Sequence, residues 1–467
     1  MSQTRAQADL LGRLEARLGR GGLLTGADDL APYAVDWRRL FPGRPAAVAR
    51  PTGTAEVAAV MAACHAAGVA VVPQGGHTGL AGGATPDASG GQVVLSLARM
   101  NAIRRVDPLG LTLEAEAGCI LKVAQDAAEA EGRLLPVSLA AEGSAMLGGI
   151  IATNAGGLNV LRYGMTRNLV LGLEVVLADG TVVDGLRALR KDNAGYDWKQ
   201  LFIGSEGTLG IVTAAILRLV PRPRHTATAL LAVPDPAAAL RLLRAAQDAL
   251  GDTIQAFELI AGESLALVAE QTGLASPIAA AGWTVLMEAG SSLGGLREAV
   301  ESLLGEALER GDAVDGVLAE SGQQAAALWA LREHITEAEA RAGKSVKHDV
   351  SVPIPAIPDF LAAAGEALAA GAPGTRPNIF GHMGDGNIHY NVLIGPEHGS
   401  DAINRIVHDA VARFGGSISA EHGIGQYRVD ELVRHRRPEE MALARRIKGA
   451  LDPQGLLNPG KVLRAAP

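Results

Sequence analysis

Apolar and polar positions along the chain switch between two periods, about 3.6 and 2, and the switches mark the elements. Residues 54–67 carry apolar side chains at helical spacing and run into Gly68, so a helix stopped by a left-handed cap is expected, then a strand over 69–73. Strands are predicted at 93–97 and 112–115, a helix at 120–130 that ends in Glu131-Gly132, and a strand at 211–219. Pro221 and Pro223 punctuate the chain. Beyond them, strands at 226–233, 256–260 and 284–289 interleave with helices at 236–249 and 296–310, a pattern of helices packed on an antiparallel sheet. A long helix is expected from Ser321 to about Ala342, a strand over 346–353, and a last helix from about Met441 to Leu451-Asp452-Pro453. The first 40 residues read as one or two helices and a lead-in loop.

The stretch Pro377 to Gly425 holds a concentration of candidate chemistry: PNIFGHMGDGNIHYNV, an interval of helical pattern, then GGSISAEHGIG. Two apolar runs flank Asp385-Gly386, which predicts a hairpin closed by a two-residue type I′ turn. Counting outward from that turn, His382 faces His389, and directly opposed Cβ atoms lie about 5 Å apart. Two imidazoles so placed suit one cation, and Glu421 is the nearest carboxylate in a comparable glycine-flanked setting. Two histidines and a carboxylate form a borderline donor set, for zinc first and manganese or iron as alternatives. His422 would stand at the rim, placed to take a proton from a substrate hydroxyl. The competing reading is ordinary hairpin histidines bonded to backbone. Arg332 and Thr336 are four apart and would share a helix face as a carboxylate clamp, against the alternative of a solvated Arg paired with Glu333 or Glu339.

Composition narrows the classes. At 467 residues, two or three domains are expected, and 48% hydrophobic with 20% charged residues is a globular balance. A net charge of −8 with no Lys/Arg-rich block argues against a nucleic-acid partner. Cys64 and Cys119 sit in apolar surroundings and read as buried thiols. The amino-terminal pattern lacks a continuous apolar core, and uncharged runs such as 57–72 are broken by His65 and Gly68. Neither a secretory signal nor a transmembrane segment is expected, and the cytoplasm is the expected location, with peripheral association to the inner membrane left open.

The 58 glycines cluster in three runs: PQGGHTGLAGG from Pro73, EGSAMLGGIIATNAGG from Glu142, and GSEGTLG from Gly204. Successive small residues let backbone N–H groups converge on phosphate oxygens. Neither the G-x-G-x-x-G fingerprint nor a P-loop occurs, so a nicotinamide enzyme and a P-loop nucleotidase are poorly supported.

PQGGHTGLAGG, GGIIATNAGGLNVLRYG and GSEGTLGIVT resemble the FAD-binding domain of the vanillyl-alcohol-oxidase and p-cresol-methylhydroxylase (PCMH) flavoprotein superfamily, and GHMGDGNIHYN, SAEHGIG and LDPQGLLNPGK resemble its D-2-hydroxyacid dehydrogenase branch. The resemblance implies an α+β protein: a helical lead-in (1–40), a two-part PCMH-type FAD-binding domain (41–222), a substrate cap on an antiparallel sheet (223–420), and a carboxy-terminal segment returning to the flavin domain (421–467). Carried over motif by motif, it implies that Pro73, Gln74, Gly75, Gly76, His77, Thr78 and Gly79 wrap the FAD pyrophosphate. Pro136, Gly143, Ser144, Gly149, Thr153, Asn154 and Gly156 would line the pyrophosphate and isoalloxazine. Glu206, Gly207 and Ile211 would lie near the adenosine, and Asn458 near the isoalloxazine. His77 stands where the branch commonly has Gly or Asn, and is expected to line a non-covalently held FAD.

The implied reaction is oxidation of a D-2-hydroxy acid to the 2-oxo acid, hydride passing from C2 to flavin N5. His422 would be the base, the metal would sit on His382, His389 and Glu421, and Arg332, Thr336, Lys347 and Asn391 would bind substrate. Lys347 matches a position that supplies a second cation in D-2-hydroxyglutarate dehydrogenases, which favours D-2-hydroxyglutarate. D-lactate dehydrogenase and glycolate oxidase flavin subunit are the alternatives within the branch. A non-catalytic flavin-binding subunit and an alkyl-glycerone-phosphate-synthase-like transferase are those of another class. An electron-acceptor protein or a quinone is implied as partner, and a homodimer is admitted.

Overall fold

The computed structural model describes residues 2–464, and the chain divides into two units. One takes in the residues up to Gly157, Met165–Arg222 and those from Glu421 onward; the other takes in Leu158–Gly164 and Pro223–Ala420.

The first unit holds two larger sheets and a two-stranded ribbon of Arg133–Leu134 and Val220–Pro221. In the four-stranded one the order is Leu23–Leu24, Ala47–Ala49, Val93–Ser96, Val71–Gln74, the last three mutually parallel. Parallel strands need a crossover, and the helix Thr54–Ala67 supplies the one from Ala47–Ala49 to Val71–Gln74, on either side of Val93–Ser96. That helix stops as the sequence predicts: Gly68 is left-handed at φ +64°, and its N–H bonds the Cys64 and His65 carbonyls. Val48, Val72 and Val94 are fully buried at the centre of the three parallel strands. The second sheet is antiparallel, in the order Ile103–Asp107, Thr112–Glu116, Ile211–Arg218, Val170–Val176, Val182–Gly185. Cys64 and Cys119 are fully buried free thiols, and burial pushes them up to about 12 and about 11.

The second unit is built on one antiparallel sheet, ordered Asp315–Leu318, His225–Val233, Trp283–Ser291, Ile254–Ala261, Arg376–His382, Asn387–Leu393, Ser345–Val346, with Asp349–Ser351 also on Asn387–Leu393. Alternate residues feed the two faces. Phe257, Leu259, Met287 and Tyr390 pack with Leu242, Val300, Phe360 and Val407 from the helices Pro236–Leu250, Leu296–Glu309, Ile357–Gly371 and Ser400–Arg413. On the opposite face, Ile260 and Phe380 meet Leu267 of Gly262–Thr272 and Ile335 of Ile335–Ala342. The α+β architecture with an antiparallel cap sheet is as expected from the sequence.

Three local expectations need correction. The helix expected over 321–342 is two helices, Gly322–Glu333 and Ile335–Ala342, separated at His334. The strand expected over 346–353 is two short strands, Ser345–Val346 and Asp349–Ser351. The hairpin is not closed by a type I′ turn, which needs positive φ at both central residues. Gly386 has φ +88°, but Asp385 is not among the residues of positive φ, and its carboxylate accepts the Asn387 N–H at 3.1 Å. The turn instead closes over His382–Gly386, where the Gly386 N–H reaches the His382 carbonyl at 3.1 Å. The register therefore moves by two: His389 faces Phe380, while His382 pairs with Glu258 on the neighbouring strand. A shift of two preserves the face of every side chain, where a shift of one would have reversed it.

Candidate functional site

Each unit carries its own part of the candidate machinery. In the first, the three glycine loops lie against one another. A Cβ on Gly76 would collide with the Ser144 carbonyl oxygen, and one on Gly207 would come 2.5 Å from Pro73 Cγ. The Gly204 and Glu206 N–H groups bond the Ile151 and Ala152 carbonyls at 3.1 and 2.7 Å, which seats the third loop on the helix Leu147–Thr153. By contrast, Cβ atoms on Gly79, Gly143 and Gly149 would meet nothing within 4 Å. Backbone packed this closely on one side and open on the other leaves main chain accessible to a ligand. Ser205 Oγ and Asn458 Oδ1 are buried with no partner among the described residues. Those orphaned acceptors and the open glycine edges fit a large polar cofactor such as FAD.

Several residues expected to line the cofactor use their side chains elsewhere. Gln74 donates to the Tyr33 and Ala84 carbonyls, holding the loop that follows it. Thr153 Oγ1 donates to the Gly149 carbonyl at 2.9 Å. Asn154, left-handed at φ +50°, ends its helix and accepts the Arg167 N–H with Oδ1. Pro136 and Ile211 are buried, Thr78 and Gly156 lie within the same loops, and Asn458 donates to the Gly83 and Glu206 carbonyls at 2.8 Å. Burial lowers the His77 imidazole below its usual range, against the pull of Asp36, and its Nε2 lies 3.5 Å from Thr85 Oγ1.

Glu206 uses its carboxylate within the protein. Oε1 and Oε2 accept the Ile424 and Gly425 N–H groups, each at 2.7 Å. Burial pushes this carboxyl above the usual range, against those hydrogen bonds and the nearby Arg428 charge. Glu206 thereby grips the turn that follows Glu421 and His422. A Cβ on Gly423, at φ +74°, would press on the same carboxylate. Glu421 itself accepts the Gly157 N–H.

In the second unit, one sheet face assembles the polar candidates. His382 and His389 each offer a ring nitrogen within 4.8 Å of the other, with ring centroids 5.6 Å apart. His389 also stacks on Phe380, centroids 4.9 Å apart, and the Arg332 guanidinium lies over the same ring at 4.5 Å. Two fully buried carboxylates organise the rest. Glu258 Oε1 contacts His382 Nδ1 at 2.5 Å and Oε2 accepts Arg332 Nε at 2.7 Å. Burial alone would raise this carboxyl, but the charges of His382 and Arg332 and their hydrogen bonds outweigh it and hold it at about 2. Glu339 Oε1 pairs with Lys347 Nζ at 3.0 Å and accepts Ser345 Oγ, while Oε2 accepts the Asn378 and Asn391 amides, each at 2.7 Å.

The pairing of Arg332 with Glu258 replaces both partners considered from sequence, Glu333 and Glu339. Thr336 does not share a face with Arg332: the break at His334 leaves Arg332 buried and Thr336 exposed. Asn391 uses both ends of its amide, donating to Glu339 and accepting the His348 N–H at 3.1 Å, so it positions rather than presents a free donor–acceptor pair. Sequence reasoning passed over Glu258 as a site residue, although a lone carboxylate in the otherwise uncharged buried strand IQAFELIA was a legible signal.

The His pair is a fit donor set for a divalent metal. A carboxylate only accepts, so a neutral His382 carries its proton on Nδ1 and its lone pair on Nε2, the arrangement of a metal-binding histidine backed by a carboxylate.

Comparison with known proteins agrees with this anatomy. Residues 45–185 match the family model described as FAD binding domain, and residues 222–462 the one described as FAD linked oxidases, C-terminal domain. The chain is 42% identical to the mitochondrial D-2-hydroxyglutarate dehydrogenase of Bos taurus, over 97% of this chain and 83% of the relative. It is 42% identical to the D-2-hydroxyglutarate dehydrogenase of Xanthomonas citri pv. viticola, over 94% of each, and 36% identical to that of Stutzerimonas stutzeri, over 98% and 99%. Among solved structures, p-cresol methylhydroxylase with substrate bound matches with a TM-score of 0.77 over 98% of this chain and 97% of that one, at 17% identity. An alkyldihydroxyacetonephosphate synthase matches with a TM-score of 0.75 over 97% and 84%, also at 17% identity, a likeness of fold alone. Among the described residues no helix is long and apolar enough to cross a membrane. With its two family domains in order and relatives of this identity along nearly its whole length, the chain belongs to the FAD-linked oxidase family that includes the D-2-hydroxyglutarate dehydrogenases.

Proposed function

We propose that the protein oxidises D-2-hydroxyglutarate to 2-oxoglutarate, with FAD on the glycine loops and a divalent metal, zinc first, on His382, His389 and Glu421. The names of the relatives support the substrate. The observation that carries the reading is local: both candidate cations, Arg332 and Lys347, are anchored by buried carboxylates on the sheet face that holds both histidines. Arg332 uses only Nε for Glu258, so its terminal nitrogens present the fork geometry that recognises a carboxylate. Lys347 uses one contact to Glu339 and remains partly exposed, with ammonium protons for a second carboxylate. Two cations with donors to spare suit a dicarboxylate better than lactate or glycolate.

FAD, when bound, accepts the hydride from C2, and the metal, when bound, polarises the substrate hydroxyl. The chain's own residues do the rest. His422 takes the hydroxyl proton, its loop held by the grip of Glu206 on Ile424 and Gly425. Asn378 and Asn391 fix the Glu339 carboxylate that carries Lys347. An acceptor protein or a quinone would be the partner that takes up the two electrons.

The test is dye-linked turnover of purified, metal-replete protein on D-2-hydroxyglutarate, D-malate, D-lactate and glycolate, with and without EDTA. Selective turnover of D-2-hydroxyglutarate that EDTA abolishes is expected. A preference for D-lactate or glycolate would overturn the dicarboxylate assignment, and indifference to EDTA would overturn the metal.

A further inference from the structure

Glu258 touches two parts of the proposed site at once, and each of its oxygens has a separate task. Oε1 meets Nδ1 of His382, on the adjacent strand directly opposite, and Oε2 meets Nε of Arg332, from the end of the helix Gly322–Glu333. The carboxylate is fully buried, as is the strand Ile254–Ala261 on which it stands, and among the described residues these two partners compensate its charge. We propose that Glu258 is the positioning residue that couples the metal to substrate recognition: one oxygen fixes the tautomer and orientation of the metal ligand His382, and the other fixes the guanidinium that receives a substrate carboxylate. This inference rests on the function proposed above.

The geometry explains why a carboxylate is required at this position. His382 Nδ1–H and Arg332 Nε–H are both donors, and they approach from different elements. A carboxylate offers two acceptor oxygens. A glutamine of the same shape offers one acceptor and one donor, so one of the two partners must face an N–H group. An aspartate keeps the charge but is one methylene shorter, and the two contacts, already at 2.5 and 2.7 Å, leave no slack for a shorter arm to keep both. Placement over the Phe380 ring restrains the guanidinium further, since Arg332 lies 4.5 Å above it and His389 stacks on that same ring. A displaced Arg332 therefore disturbs the second histidine as well. The competing role is purely structural, a buried ion pair that stabilises the unit and does nothing else.

The experiment uses the full chain, FAD-loaded and stripped of metal, and reads Zn²⁺ affinity by competition with a chromophoric chelator. KM and kcat for D-2-hydroxyglutarate are then measured at saturating Zn²⁺. For Glu258→Gln, Zn²⁺ binding should weaken by about 10–100-fold, the usual consequence of losing the partner behind a metal-binding histidine. KM should rise about tenfold or more at saturating Zn²⁺, with FAD content unchanged. Unchanged Zn²⁺ affinity, or unchanged KM, would overturn the coupling even if the variant melts at a lower temperature, because a structural ion pair predicts that outcome. Should Glu258→Gln fail to fold, Glu258→Asp carries the same test with the charge retained: weaker Zn²⁺ binding with raised KM supports the proposal, and wild-type values for either overturn it. A wild-type protein that binds no Zn²⁺ defeats the metal assignment itself, which is a different result from a metal-binding wild type with an indifferent variant.

Discussion

The grip of Glu206 on the turn after His422 gives a sharp prediction. Glu206→Ala removes a buried carboxylate that accepts two main-chain N–H groups, from Ile424 and Gly425, at 2.7 Å each. Hydrogen bonds to a charged group contribute about 1.5–3 kcal/mol each, so the gross loss is about 3–6 kcal/mol. Part is returned, because burial had raised the Glu206 carboxyl and that cost disappears with it. A net loosening of about 3 kcal/mol corresponds to roughly a hundredfold faster local opening. Glu206→Gln keeps one acceptor and should lose about half as much. The direct assay is amide hydrogen exchange at Ile424 and Gly425 in the FAD-loaded protein, read beside turnover. Exchange should accelerate in the order wild type, Gln, Ala, and turnover should fall in the same order while FAD stays bound. Unchanged exchange at these two amides in Glu206→Ala would refute the reasoning, whatever happened to activity.

Other substitutions probe separate links. Gly76→Ala places a methyl group against the Ser144 carbonyl oxygen, so the first two glycine loops must part; FAD retention, measured by the flavin-to-protein absorbance ratio, should fall at least tenfold in affinity, and wild-type retention would refute the loop packing. Lys347→Gln should reduce the selectivity for D-2-hydroxyglutarate over D-lactate by about tenfold, on the order of one charged hydrogen bond, as ratios of kcat/KM. Lys461 is buried, and burial drops its pKa to about 8 from an ordinary 10.5, with Asp87 pulling weakly the other way. Between those values the unfolded chain binds the extra proton, so the stability of the FAD-free protein should rise with pH across that window. Urea unfolding at pH 7.5 and 9.5 should show a steeper rise for wild type than for Lys461→Met; equal slopes would refute it.

The elements set by neighbouring residues were readable from the chain alone. Helical spacing from Thr54 and a left-handed Gly68 are properties of a short segment, and the helix begins and ends where they place it. The three glycine runs were legible as backbone open to phosphate oxygens; that they pack against one another came only from the structure. His382 and His389 were on one face by period two, and an error of two residues in the register left them there. Features that depend on a partner far along the chain were not readable. Glu258 lies 124 residues from His382, and no local rule links an acidic residue in an apolar strand to that particular imidazole. Glu206 finds its donors 218 and 219 residues away, so its motif alone did not reveal the turn it holds. The interruption at His334 separates two segments that would each continue a helix by spacing, yet one buries Arg332 and the other Glu339. Sequence thus determined the elements, their faces and the residue types available for chemistry, because those follow from steric preference and periodicity within a few residues. Only the tertiary structure decided which buried charge answers which, because an uncompensated charge is too costly to bury and its partner is chosen by where the strands and helices pack.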